Sequence, residues 1–466
     1  MLWIRQPLSG LHANNYGGVM HCFRLWLTTL LAPLASEAGF ATLNTSIESS
    51  EWSGTTPTLW EEALYEVSTR KSIGDQLSGD EKSGAAIIDK FDLTQRAGQT
   101  ITFTVIDPLI GEGVSGRTAM VASEEEINAN TFSLTTTHYR QATATDDIAK
   151  VVSVVGRKFD TVAADLIGDW FGRRKDDDWM NQVLNTDTIQ TLFAGNATSR
   201  SNIQPGAYLL PHELRRLHMA ARRRGVQPVK TVKQAKHQFP LYTALMSEVD
   251  YYNLVNDSNF RQDVRLAAER GTGNPALSGY IDEMNGLMIL CFSSVPASTG
   301  LYGSYLRPEA RLRTAVNSAV TALDIGPATQ KTNVDYGKYF SQTGSSQLLL
   351  IDSENVSYTG AASTDPGNTG WATVSRAANG TTAASHSAGA LMTQNNLGKV
   401  LVFGKHLVLR GWSMKPKKIT HDFEDYGFEH GVGIRWMYGL ESVQWGDSTV
   451  ANGVVMETYS ANPSTI

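Results

Sequence analysis

The sequence predicts an α+β chain built from a long two-stranded arm, one long amphipathic helix and a β-rich C-terminal region. Three observations carry this. Residues 99–106, Gln-Thr-Ile-Thr-Phe-Thr-Val-Ile, alternate polar and apolar with a period of two, and a second β-rich stretch follows at 127–139. Between 148 and 171 the residues Ile148, Val152, Val155, Phe159, Val162, Leu166 and Trp170 recur at steps of three and four, the period of a helix with one buried face. From Lys399 to Tyr459, the runs Val400–Phe403, His406–Leu409, Gly433–Trp436 and Val454–Met456 are strand-like.

Composition narrows the function classes. The chain has 466 residues, 41% of them hydrophobic, with 10 Trp, 16 Tyr and 15 Phe, which is ample for buried cores and excludes wholesale disorder. At roughly 100–200 residues per domain this length suits two to four domains or one large elaborated one. Lys plus Arg number 40 and Asp plus Glu 46, a formal charge of −6, which does not suit a dedicated nucleic-acid binder. Only Cys22 and Cys291 are present, excluding a disulfide scaffold and any multi-cysteine zinc site. No apolar run reaches the length of about 18 residues that a spanning helix needs, so no membrane partner is expected.

The elements follow in order. Leu25 to Ala35 is apolar, follows Arg24 and precedes Ser36-Glu37-Ala38. Read from an internal start at Met20 it has the layout of a secretory signal; read from Met1 it is an N-terminal leader or arm. Pro57-Thr58 then opens a short helix in which Trp60, Leu64 and Val67 share a face. The strand at 99–106, a glycine turn at 111–116 and the stretch at 127–139 make a long hairpin, whose tip is polar and glycine-rich and carries no apolar stripe. The helix at 148–171 is capped by Asp146 or Asp147 and ends before Arg173, Arg174 and Lys175, where the helix dipole favours cations. A mixed region at 205–300 has a helix near 211–224, β-like runs from Pro240 to Leu254, a helix from Phe260 to Glu269 and a strand at Leu287–Phe292. Residues 325–396 are rich in Gly, Ser, Thr, Ala and Asn and read as an exposed insertion or surface loop, with Gln347–Ile351 as its one solid strand.

Motifs with chemical meaning fail on context. Gly111-Glu112-Gly113-Val114-Ser115-Gly116 matches the dinucleotide fingerprint, but that turn must open a helix, and here a β-rich stretch follows Arg117. His212-Glu213-Leu214-Arg215-Arg216-Leu217-His218 places its second histidine at i+6, whereas a zinc-protease helix needs i+4. Neither cysteine lies in a nucleophile motif and no GxSxG elbow is present. No catalytic residue, cofactor or metal is therefore expected. Arg215, Arg216, Arg222, Arg223 and Arg224 form a basic patch, read either as a contact for nucleic acid or an acidic neighbour, or as a solvated helix face.

The ordered set of features resembles a family. Trp60 to Leu77 and the strand from Gly98 to Val105 come first, then Leu109-Ile110-Gly111-Glu112-Gly113-Val114-Ser115-Gly116, Glu124-Glu125-Glu126 and the long helix with Asp169-Trp170. Asn274-Pro275-Ala276-Leu277-Ser278-Gly279 follows, then Met284 to Ile289, Asp425-Tyr426-Gly427 with Gly431 to Ile434, and Val454 to Tyr459. Together they resemble the major capsid proteins of N-four-like tailed phages over about 55–460, the 325–396 segment excepted.

The resemblance implies the Hong Kong 97-type capsid fold. Its parts would be a leader or arm at 1–58, a helix and approach at 59–95, an extended hairpin (the E-loop) at 96–140, and a spine helix with part of the peripheral domain at 141–204. An axial domain would occupy 205–300, a connection 301–324, the insertion 325–396 and the β-rich peripheral domain 397–466. It implies a structural, non-enzymatic subunit that assembles with itself into pentamers and hexamers in the virion shell, built in the bacterial host cytoplasm. Partners would be the portal, scaffold or decoration proteins, and packaged DNA held by non-specific contact. Gly111 to Arg117 would act between subunits, and Val152, Val155, Phe159, Val162, Leu166 and Trp170 would be the buried stripe of the spine helix. The alternative is a secreted bacterial enzyme or binding module with a cleaved signal.

Overall fold

The computed structural model describes residues 72–461, apart from 92–99, 147–158, 263–282, 293–302, 328–333, 341–346 and shorter breaks. The leader, the helix expected at 59–67, the first turns of the long helix with Val152 and Val155, Asn274–Gly279 and Asp425–Gly427 lie outside the described residues.

Helix α1 (Ile73–Gln76) is a single turn capped by the Ser72 side chain, which accepts from the Asp75 N–H. Strand β1 (Ile87–Lys90) leads to the hairpin strands β2 (Thr100–Ile106) and β3 (Ala129–Thr135), which pair antiparallel over seven residues. After Thr136 the chain continues directly into β4 (Thr137–Asp146). The long helix α2 is described over Phe159–Leu184 and α3 spans Pro211–Arg223, with Pro211 pre-set for its first turn. Strand β5 (His237–Ser247) runs straight into α4 (Glu248–Asn256), where Ser247 Oγ accepts from the Asp250 N–H. That cap ends the β-like run expected to reach Leu254, because Ser-Glu-Val-Asp places a capping hydroxyl ahead of acidic first-turn residues. The helix expected from Phe260 begins at Ser258 and is described to Gln262. Strand β6 is Leu287–Phe292, as the sequence predicts. Strands β7 (Gln347–Ile351) and β8 (Glu354–Tyr358) follow, then β9 (Leu397–Phe403), β10 (Val408–Glu424), β11 (Glu429–Ser442) and β12 (Gly453–Tyr459).

These elements make two principal sheets. The first runs in the order Ser78–Gly79, β1, β10, β11, β4, with β1 parallel to β10 and the other long strands antiparallel. The second runs Gln190–Phe193, β12, β9, β5, β6, Glu283–Met284, and every residue of β9 is buried, because helices or loops cover both of its faces. Helix α2 joins the two. Its first half lays Ala163, Ile167 and Phe171 on Trp412, Val432, Ile434, Trp436 and Tyr438 of the first sheet. Its second half sends Trp179, Met180 and Val183 into the core formed by Leu245, Leu401, Phe403 and Val455 of the second. The opposite face of the second sheet packs on Leu214, Leu217 and Ala221 of α3 and Leu254 of α4.

Two expectations change here. The long helix does not end near 171: Arg174 and Lys175 lie inside it, because buried carboxylates rather than helix carbonyls receive them. The 325–396 segment is not a surface loop. Residues from Glu309 to Thr393 form a β-module with its own core, which includes Ile325, Tyr336, Phe340, Leu349, Ile351, Val356, Tyr358, Trp371 and Met392. Its four-stranded sheet runs Glu309–Arg311, Leu391–Thr393, β7, β8, and a three-stranded sheet of Leu323–Asp324, Asn368–Trp371 and Ser363–Asp365 accompanies it. Its sparse large side chains all converge inward, which bulk composition does not disclose.

Candidate assembly surfaces

The hairpin is seated by two glycines. Gly411 of β10 and Gly439 of β11 are direct cross-strand partners, leaving a strip of the first sheet without side chains. The base of the hairpin fills it. A Cβ on Gly411 would stand 2.3 Å from Ile101 Cδ1, and one on Gly439 would stand 2.4 Å from the Thr135 carbonyl oxygen and 2.7 Å from Leu134 Cδ1. Around this contact Ile88, Ile101, Phe103, Leu134, Leu409 and Val443 form a small closed core.

Beyond that seat burial ends. From Ile106 to Asn130 every described side chain with an assigned burial is exposed, Gly111 to Arg117 included. Within this tip Glu125 accepts from the Gly111 N–H at 2.6 Å. The tip is less polar than the sequence suggests. Ile106, Leu109, Val114, Met120, Val121 and Ile127 stand exposed, six of the eleven exposed large apolar side chains among the described residues. The glycine fingerprint opens no helix; it lies in the loop between the two paired strands.

The long helix carries the expected apolar stripe in a different register. Leu166 is 61% exposed, whereas Ala163, Ile167 and Phe171 are buried, and Trp170 is half-buried with its ring edge-on to Trp436. Phe159 and Val162 lie in the helix, but their side chains are not among those described. The stripe continues in steps of four through Lys175, Trp179 and Val183, all buried. Lys175 replaces an apolar residue in that series because it meets Asp75, while its Nζ sits 4.4 Å from the centre of the Phe171 ring. Burial lowers the Lys175 amine from its ordinary value, against the pull of Asp75.

A buried network of charges locks this helix to the first sheet. Arg410 of β10 donates twice to Asp89, at 2.6 and 2.8 Å, and once to Asp75 at 3.0 Å. Burial alone would lower the Arg410 guanidinium; the two carboxylates outweigh it and hold the group charged. Asp176 accepts from Ser72 Oγ at 2.7 Å, the Gly74 N–H at 2.8 Å, the Ile73 N–H at 3.1 Å and Trp179 Nε1 at 3.2 Å. Complete burial still raises its carboxyl to about 6. Asp178 pairs with Arg174 and accepts from the Tyr438 hydroxyl. Asp177 pairs with Lys338 and accepts from Tyr339 at 3.3 Å, tying the β-module to the helix. Arg174–Asp178 and Asp176–Trp179 lie one turn apart on the helix, but the other partners are far apart in sequence, so no local signal marks them.

The basic patch divides. Arg216 is half-buried and donates to Glu213 at 3.2 Å and to the Phe193 carbonyl at 3.0 Å, so it belongs to the framework. Arg215, Arg222 and Arg223 are exposed on α3, and half-buried Arg224 follows its end. Glu213 is buried and accepts from the Gly195 N–H at 3.0 Å; His212 is mostly exposed with its Nε2 3.6 Å from Glu213 Oε1, whereas His218 packs edge-on to Tyr242. These three therefore do not converge. No group of three or more metal-ligating side chains occurs among the described residues, nor does any helix long and apolar enough to cross a membrane.

No protein-family model matches the chain, and no curated protein matches it. Solved structures do. The capsid of Ralstonia phage GP4 is similar over 92% of this chain and 99% of its own, with a TM-score of 0.53 and 13% identity. The cyanophage Pam1 capsid is similar over 92% and 100%, with a TM-score of 0.53 and 12% identity. The capsid of Helicobacter pylori bacteriophage KHP30 is similar over 97% and 100%, with a TM-score of 0.54 and 12% identity. Identity this low speaks for fold, and the α+β arrangement of this chain is that of phage capsid proteins.

Proposed function

We propose that this chain is a phage major capsid protein, a structural subunit whose copies close an icosahedral shell around DNA. The observation that carries the reading is the hairpin tip. It holds more than half of the exposed large apolar side chains among the described residues, on a two-stranded ribbon that water alone does not stabilise. Such a segment gains free energy only by lying on another molecule, and likeness to shell proteins supplies the kind of molecule: a further copy of itself.

In this reading the organisation is that of the Hong Kong 97-type fold. The hairpin is the E-loop, α2 the spine helix, the first sheet the peripheral domain and the second sheet with α3 and α4 the axial domain, with subunits grouped in pentamers and hexamers. Strands β9 and β12, expected in the peripheral domain at 397–466, thus join the axial strands of 205–300 in one sheet instead. Gly111 to Arg117 then works between subunits, and exposed Leu166 faces a neighbour. Portal, scaffold or decoration proteins and packaged DNA would be the further partners, the virion the destination and the host cytoplasm the site of assembly. Membership of the N-four-like group belongs to the same proposal.

Expression of the whole chain, followed by size exclusion and negative-stain microscopy, tests it. Shells, capsomers or tubular polyheads are expected. A monodisperse monomer at high concentration, alone and with added scaffold, would overturn the reading.

A further inference from the structure

The face of the first sheet that points away from α2 carries an arrangement that a lone subunit does not account for. Lys417 of β10 pairs directly with Arg435 of β11, and Arg435 pairs directly with Arg140 of β4. All three are exposed, while their neighbours Ile434 and Trp436 turn inward to the helix. Three cations therefore stand in one cross-strand row, within two strand spacings, or about 10 Å. Like charges directly opposite one another destabilise a sheet. Among the described residues no carboxylate is ion-paired to any of the three.

The tip of the hairpin has the complementary character. Glu112, Glu124, Glu125 and Glu126 are exposed there against the single cation Arg117. They are flanked by the apolar Leu109, Val121 and Ile127, and the cation row is flanked by half-buried Met414 and Met437, themselves cross-strand partners. Among the described residues no hydrogen bond or ion pair joins the tip to the row of its own chain. Strand β3 carries it about 23 Å from Thr136, while Arg140 lies about 13 Å from Thr136 along the next strand.

We propose that the row Arg140–Arg435–Lys417 is the seat on which the acidic hairpin tip of a second copy of this chain docks. The inference rests on the shell reading above and adds to it the receiving surface and the charges that fix its register. Duplex DNA fits the row less well. The next outward-facing pairs along the same strands, Gly433 with Ala142 and Gly431 with Ala144, carry no charge, so in that direction the basic zone ends at one row. A duplex presents a charge every ~1.7 Å along its axis and would run past it.

Cross-linking in trans tests the seat whether or not shells close. With Cys22→Ser and Cys291→Ser as background, one preparation carries Glu124→Cys and a second carries Lys417→Cys. Mild oxidation of the mixture should give a disulfide-linked dimer, and a Glu124→Cys plus Arg215→Cys mixture should not. In an otherwise native chain, Lys417→Glu with Arg435→Glu should lower assembly by about tenfold or more, because like charges then meet across the contact. Glu124→Lys with Glu126→Lys should do the same, and the four changes together should restore it. Dimers no more abundant than in the control, or absence of rescue, would overturn the seat. So would a cation-reversed chain that assembles normally but loses DNA, which would assign the row to phosphate. Dimers without shells would remove the shell reading and leave the seat standing; shells without dimers would do the reverse.

Discussion

Gly439→Ala is the sharpest perturbation of the hairpin. The added methyl would lie 2.4 Å from the Thr135 carbonyl oxygen and 2.7 Å from Leu134 Cδ1, against an ordinary contact of about 3.4 Å or more. Relief requires a shift of about 1 Å in the β3 backbone, since the nearest atom is a carbonyl and not a side-chain end. Overpacking of this kind typically costs about 1–3 kcal/mol, and here it falls on the small buried core around Leu134. Gly411→Ala meets Ile101 Cδ1, the far end of a side chain that can rotate, so it should cost less. The assay is the denaturant midpoint of the purified subunit beside the rate at which protease cuts within 100–135. Gly439→Ala should lower the midpoint and speed cleavage, more than Gly411→Ala does. Equal, negligible effects of both would refute the idea that the paired glycines seat the hairpin.

Ile167→Ala should cost about 2–5 kcal/mol as a large-to-small change in a buried site, whereas Leu166→Ala should be nearly silent in the free subunit; thermal melts of the two variants compare them directly. Glu354 of the β-module accepts from Arg376 twice at 2.7 Å, from His386 at 3.0 Å, and from the Ala377 and Ala384 N–H groups. Burial would raise its carboxyl, but these partners hold it at about 2, below its ordinary 4.5. Its contribution is therefore present above pH about 4.5 and lost as pH falls through about 2, so protease cleavage within 309–393 should stay slow to near pH 3 and accelerate below it. Glu354→Gln, which removes the titrating carboxylate, should speed cleavage already at neutral pH and flatten this dependence. Denatured particles should run as a single monomer band, because no lysine occurs from Phe91 to Ala149 to cross-link through the hairpin, and arginine, the only basic side chain type there besides histidine, does not serve as an amine nucleophile. A ladder that survives reductant would overturn that last expectation.

Elements defined by local period were legible. The alternation at 99–106, the run Leu287–Phe292 and the strands after 397 all lie where the pattern of side chains places them. The helix was legible in kind and misjudged in register, since its buried stripe passes through Ala163 and Lys175, which hydrophobicity does not flag, while Leu166 faces outward. The β-module escaped because its core is assembled from single large residues, such as Tyr336, Trp371 and Met392, that stand far apart between polar turns. The charge network was invisible for a related reason: Arg410 and Asp89 are 321 residues apart, and only the fold brings them together. The hairpin tip shows the reverse limit. Its glycines were plain, but the exposure of Val121 and Ile127 is a property of the folded chain.

The β-module leaves the body of the protein where it entered. Glu309–Arg311 and Leu391–Thr393 are antiparallel neighbours, and the Gln394 N–H donates to the Pro308 carbonyl. The chain thus departs and returns through one doorway, two strands wide. A detour so closed can be lengthened, exchanged or cut out with a short splice between Pro308 and Gln394, while the sheets beneath keep their own strand order. The cost of excision is set by a few tethers, Arg200 to Gln347 at 3.2 Å and Lys338 to Asp177 among them. The doorway makes this part of the surface a replaceable cassette, the natural place to graft a foreign domain onto the subunit.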